Sequence, residues 1–370
     1  MMKSSERIPA IDLLRGLSCI GVLLYHIRVD LWIGWWRIRS YPEEYPIFAK
    51  AMAWLSIPTP FLGYAVLLFF LISGFCIHYQ NNLANSQPNW KIYLLRRFLR
   101  IYPTYFIAII FTACISYLCY IIWGDATWNI DRIFRVATLS QNYPPGNGQF
   151  LSNPSLWTIP LEVEFYILYP LAFYLIAKSR IKILLIVTMG VSYWTVYLNN
   201  QGIAWPSFTA LFLWPSWLLG ACVAQWQRKN KLSNCNLPVL LLATGLALAL
   251  ALFSRLENWA PWLQYIAWTG FYFLLFIFCL SQPSLLIRLL GKPLFKFISW
   301  IGKISFSLYL IHFPLFKLFG YLHKEIWSEK PANFLISLAY LIPVCFLGWL
   351  FFRWIENPIH QWSRKKLAPR

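Results

Sequence analysis

Stretches of about 20 apolar residues recur along the whole 370-residue chain, and a water-soluble core cannot be built from that pattern. Each stretch is long enough to cross a hydrocarbon layer of ~30 Å as an α-helix. A closed barrel is the other structure that lipid permits, but its mark is segments of alternating polarity, and the run from Leu241 to Phe253 does not alternate. Only 12% of the residues are charged and 59% are hydrophobic. An ordinary soluble domain carries roughly 25% charge to cover its surface. The chain is therefore read as an all-α, polytopic membrane bundle forming a single domain over residues 1–370.

The apolar runs place ten spans at about 8–28, 60–80, 98–123, 157–177, 181–198, 205–226, 236–253, 260–281, 298–320 and 333–355. This count sorts the charges. On the side of the N-terminus lie 18 basic residues, from Lys3 and Arg7 through Lys91, Arg96, Arg97 and Arg228 to Arg364 and Arg370, with one acid, Glu6. The other side has nine basic residues, among them Arg28, Arg37 and Lys330, and eight acids, among them Asp30, Asp125 and Glu329. The positive-inside rule puts the 18-residue side, and with it both termini, in the cytoplasm. The formal charge of +19 is then mostly topology. It argues for anionic headgroups and an anionic cytoplasmic ligand as partners, and against nucleic acid.

Lys3 and Arg7 ahead of an apolar run resemble the start of a signal peptide. No small-residue cleavage site follows, and Asp12 and Arg15 interrupt the run, so a retained first helix is expected. Seven of the eight cysteines fall inside spans and Cys235 is cytoplasmic, so none can join an outer-loop disulfide. No paired CxxC suggests a metal, and none is expected.

A charge at membrane depth costs at least ~2.5 kcal/mol, so each one needs a reason. Arg15 and His26 are eleven residues apart, about three turns, and share a face of the first helix. Asp12, one turn before Arg15, can pair with it. On an outward-running helix His26 lies ~16 Å further out than Arg15. The fourth helix runs inward, and its Glu162 falls about one and a half turns from the outer boundary, near the same depth as His26. Glu164 points about 200° away and is expected to do a different job, an ion pair being the bland reading. Arg97 and Arg100 are neighbours at the expected start of the third helix, where the helix dipole would add to their field and favour phosphate. The segments 29–59 and 124–156 carry Trp32, Trp36, Tyr45, Trp54 and Trp128; such faces suit sugar rings and interfacial belts alike.

Six fragments, in order, resemble the acyltransferase family 3 membrane proteins, which O-acylate bacterial glycans and related metabolites. They are Asp12-Leu13-Leu14-Arg15-Gly16 followed by His26, Phe69-Phe70-Leu71-Ile72-Ser73-Gly74-Phe75, and Arg96-Arg97-Phe98-Leu99-Arg100-Ile101-Tyr102-Pro103. Leu156-Trp157 with Pro160-Leu161-Glu162-Val163-Glu164-Phe165-Tyr166 and Pro170 forms the fourth. Ile304-Ser305-Phe306-Ser307-Leu308-Tyr309-Leu310-Ile311-His312-Phe313-Pro314 and Arg353-Trp354-Ile355-Glu356-Asn357-Pro358 complete the set. The family pattern often has a second Glu and then Gln after the position of Glu162, where this chain has Val163 and Glu164. About a dozen residues follow the last span, so the stand-alone form without an SGNH-type domain is expected.

The resemblance implies a multi-pass protein of the bacterial inner membrane that moves an acyl group, most often acetyl from acetyl-CoA, to a hydroxyl of a glycan or small-molecule acceptor. It implies no cofactor beyond the acyl-CoA co-substrate. His26 is then the general base, with Glu162 orienting the imidazole, and Arg15, Arg97 and Arg100 meet the donor phosphates. Asp12, Glu164, Tyr166, Ser305, Tyr309 and His312 support them. Direct transfer and a route through an acyl-histidine both stay open. The competing reading is a transporter of an acyl group, lipid or glycan intermediate without chemistry of its own, for which the same buried charges would line a pathway.

Overall fold

The structure, a computed structural model, describes residues 8–81, 88–144 and 152–367. Lys3, Glu6, Arg7 and Arg370 lie outside the described residues, as do both termini. The described residues are 85% helical, with no strand, and among them ten helical segments are long and apolar enough to cross a membrane. They are Pro9–Asp30, Ile47–Asn81, Trp90–Trp123, Pro154–Ala177, Ile181–Asn200, Trp205–Arg228, Leu237–Leu256, Pro261–Ser281, Lys292–Trp327 and Phe334–Lys366. The ten expected spans map onto these one for one.

The second span starts at Ile47 rather than about 60, and the last runs on to Lys366 rather than about 355. Other differences lie where helix continues beyond the apolar run. The third helix begins at Trp90, eight residues before the expected boundary at 98, because Lys91, Arg96 and Arg97 continue the helical path with polar side chains. Hydropathy cannot see such a turn. Arg97 and Arg100 are thus the eighth and eleventh residues of their helix, not at its start. The dipole acts within the first turn, so the expected dipole contribution to a phosphate site there is withdrawn. The ninth helix, Lys292–Trp327, is likewise longer than its apolar core. A π-helical turn, Phe352–Glu356, interrupts the last span.

The chain divides into two compact units. One takes Met1–Ser18, Tyr64–Leu95 and Pro160–Lys303; the other takes Cys19–Gly63, Arg96–Ile159 and Ile304–Arg370. In the first unit the helices Val66–Asn81 and Ala210–Arg228 make the most extensive contact. A Cβ added to Gly74 would collide with the Trp217 carbonyl oxygen, and one added to Gly220 with that of Leu71. The backbones meet at those two points. Close approach of this kind drives helix association in lipid, where apolar side chains gain little by leaving the acyl tails.

In the second unit, Pro314 lies inside the ninth helix and lacks the N–H that would bond the carbonyl four residues back. The Asn153 amide donates to that freed Leu310 carbonyl at 2.8 Å. The acceptor is satisfied from the segment before the fourth helix, and that segment is thereby fixed to the ninth. Further bonds hold the same segment: Gln141 donates to the Leu156 carbonyl at 3.1 Å and Asn142 to the Trp157 carbonyl at 2.7 Å. Lys317 pairs with Asp125 at 2.5 Å, with side chains only 9% and 5% exposed. Removing one partner would strand a buried charge, at a cost of roughly 3–5 kcal/mol. Trp32 and Tyr45, counted among the aromatic faces, are buried; the Trp32 indole donates to the Ala332 carbonyl at 2.9 Å. Trp36 and Trp54 remain exposed.

Candidate active site

The second unit holds the densest gathering of sequence-chosen residues. His26, near the end of the first helix, and His312, in the middle of the ninth, bring their rings together with centroids 5.2 Å apart. Phe313 and Tyr25 close on His26 edge-to-face at 5.0 Å each. The helical turn that carries His312 is held by Asn153 through the Leu310 carbonyl.

His312 is fully buried and its surroundings fix its proton. Nδ1 faces two carbonyl oxygens, of Tyr309 at 2.8 Å and Leu308 at 3.2 Å, and a carbonyl can only accept. In the neutral ring the proton is therefore on Nδ1, and Nε2 accepts from the Ser155 hydroxyl at 3.4 Å. The Tyr309 hydroxyl donates to the Ser155 carbonyl at 2.7 Å and is met by the Thr158 hydroxyl at 2.8 Å. Ser305 is buried on the same helix, and its carbonyl accepts from the Cys19 thiol.

His26 differs. It is partly exposed, yet Nδ1 is shut inside with no hydrogen bond among the described residues. An unsatisfied buried nitrogen costs about 1–3 kcal/mol, and a folded protein keeps that cost where it serves a purpose. With Nδ1 enclosed, Nε2 is the nitrogen left to meet a substrate.

Glu162 belongs to the first unit. Ser73 donates to its carboxylate at 2.9 Å, and the Trp217 indole donates to the Ser73 hydroxyl at 3.3 Å. Glu164, two residues on, accepts from the Ala210 backbone N–H at 2.6 Å. That N–H is one of the unpaired donors at the start of the helix Ala210–Arg228, so Glu164 caps a helix. Tyr166 is buried in the same unit, and Asp12 and Arg15 are half-buried there. Arg97 and Arg100, half-buried, belong to the second unit, where neighbouring Arg96 donates to the Leu367 carbonyl.

Sequence reasoning thus selected His26, His312 and Tyr309, which the second unit brings together. It missed Ser155, Asn153 and Trp217 as site residues, and left Ser73 as a motif letter without a role. The signal for Asn153 was present: a proline inside an apolar helix frees a carbonyl that some polar side chain must meet.

Residues 8–353 match the family described as an acyltransferase domain, acyltransferase family 3, and the chain belongs to that family. Among characterised relatives it is 24% identical to the O-acetyltransferase OatA of Staphylococcus aureus, over 99% of this chain and 59% of that protein. It is also 24% identical to the peptidoglycan O-acetyltransferase OatA of Listeria monocytogenes, over 97% of this chain and 56% of that protein. The chain thus spans a little under three fifths of the length of these relatives. No solved structure matches it.

Proposed function

We propose that this chain is a membrane O-acetyltransferase that moves an acetyl group from cytoplasmic acetyl-CoA to a hydroxyl of an envelope glycan, with peptidoglycan the first candidate because the Listeria monocytogenes relative carries that name. The observation that carries the proposal is His26: a partly exposed imidazole free of hydrogen bonds among the described residues, packed against a second histidine whose proton is fixed. An imidazole left without a structural bond at membrane depth is suited to take a proton during a reaction.

In the proposed step, the acceptor hydroxyl oxygen attacks the thioester carbonyl carbon while His26 takes the hydroxyl proton at Nε2. The new C–O bond forms, the C–S bond breaks as the tetrahedral intermediate collapses, and the proton returns to sulfur as coenzyme A leaves. His312 supports this as a rigid neighbour. Its ring is held at both nitrogens, so it keeps His26 in place and does not itself compete for the proton. Arg97 and Arg100 offer charge-assisted bonds to the donor phosphates. The family resemblance adds Arg15 to the donor site and Glu162 to the reaction; both belong to the other unit, and substitution tests each of them.

Mass spectrometry of the cell-wall glycan from cells with and without the gene tests the reading. The expected result is the loss of one acetyl ester per modified sugar. An unchanged glycan together with an unchanged profile of secreted saccharides would overturn it.

A further inference from the structure

The connection between the ninth and tenth helices holds a cavity of about 480 Å³ that neither the family motifs nor the histidine pair accounts for. It lies wholly in the second unit, and its walls include His323, Trp327, Glu329, Lys330 and Tyr340. Its size falls in the ordinary range of small-molecule sites, roughly 300–1,000 Å³. We infer that this cavity binds one hexopyranose ring of the acceptor glycan; the inference rests on the acyltransferase reading for its biological meaning.

The chemistry of the walls selects the ligand. Trp327 is 58% exposed, and its outer face is free to take a flat apolar partner. Its inner face stacks on His323 at 4.2 Å and 27°, and the His323 Nδ1 is 3.0 Å from the Tyr340 hydroxyl, so the indole is backed by a fixed ring. A pyranose presents one face of C–H bonds to such a surface and a rim of hydroxyls around it. The rim would meet a carboxylate that accepts, Glu329, and an ammonium that donates, Lys330. Both signs together suit hydroxyls and disfavour a ligand of high net charge.

The polar groups are held ready. The Tyr45 hydroxyl donates to Glu329 at 3.3 Å and accepts from the Arg37 guanidinium at 3.2 Å. Burial, aided by Glu329 and opposed by Arg37, pushes the Tyr45 phenol up, so it stays a donor at neutral pH. Burial pulls the Lys330 ammonium down while Asp30 holds it up. The backbone between the helices is tied as well: Ile33 N–H donates to the Pro331 carbonyl at 3.2 Å, beside the Trp32 bond to Ala332. A site ordered before binding loses less entropy when it is filled.

Its place on the ninth helix also fits. His323 follows His312 by eleven residues, three turns, so the two share a face ~16 Å apart along the axis. A glycan held by one ring at Trp327 can extend toward His26 without leaving the second unit.

The test is saccharide binding to the full chain purified in detergent, by saturation-transfer NMR and calorimetry, with chitotetraose and maltotetraose as probes. Binding to the wild type should weaken roughly tenfold in Trp327→Ala, the scale of one lost aromatic contact, and less in Trp327→Phe. Glu329→Gln should weaken it severalfold. Equal binding by wild type and W327A, or no binding of either saccharide to the wild type, overturns the inference. So does a phospholipid that stays with the wild type in native mass spectrometry and is lost from W327A, because the cavity is then a lipid site. Saccharide bound normally by a protein that transfers no acetyl would instead sink the acyltransferase reading and leave this site standing.

Discussion

Two of the histidines inside the candidate spans have opposite surroundings. His78, in the first unit, is bonded through Nδ1 to the Tyr169 hydroxyl at 3.2 Å and is packed against Tyr169 and Phe173. His26, in the second unit, has no hydrogen bond among the described residues and faces a second imidazole. Both have a buried nitrogen without a partner, so burial alone does not mark a site. The neighbours do. His78 is wrapped by rings that have packing work to do, whereas His26 is partly open and its neighbour His312 is pinned at both nitrogens. The same distinction separates Glu162, hydrogen-bonded through Ser73, from Glu164, spent on a helix N-terminus.

Substitutions sharpen this contrast, beginning with the largest effect. His26→Ala should lower acetyl transfer by about 10²–10⁴, the range for a lost general base, with folded yield little changed. Glu162→Gln keeps the Ser73 bond and removes the charge. If it only stabilises an imidazolium, its loss should fall short of that of H26A, at roughly 10–100-fold in turnover, and equal losses would make it a primary proton acceptor. Arg100→Ala should act on the donor rather than the chemistry, raising the apparent KM for acetyl-CoA about tenfold with turnover retained, and less so at high salt. A variant with normal donor affinity but poor yield would make Arg100 a structural residue. Glu164→Gln should lower thermal stability by about 1 kcal/mol, as for a weakened cap, and leave the rate per folded molecule intact.

Much of this architecture could be read in advance, and the reasons for the rest are specific. The ten spans were legible because each apolar run must reach across the bilayer, and no loop can substitute for it. The start of the third helix was not, because a basic amphipathic turn leaves no trace in hydropathy. His26 and His312 were legible as polar residues with no business in lipid, and Tyr309 only through the family motif. Ser155 was not, since its partner is 157 residues away and only the fold brings it to the ring. Glu164 could be separated from Glu162 by helical angle, but the helix end that it caps is set by the meeting of two distant segments. Trp32 and Tyr45 read as outward aromatic faces because composition cannot tell a ring that plugs a loop from one that meets a ligand.

The most direct test sets the two histidines side by side in one assay. Wild type, His26→Ala and His78→Phe, purified in the same detergent, would be compared for acetyl transfer to an oligosaccharide and for acetyl-CoA binding on the same samples. The account predicts that all three bind donor with similar affinity, that H78F keeps turnover near wild type, and that H26A transfers essentially none. Wild-type turnover in H26A would contradict it, and a membrane carrier without chemistry of its own would then be the better description.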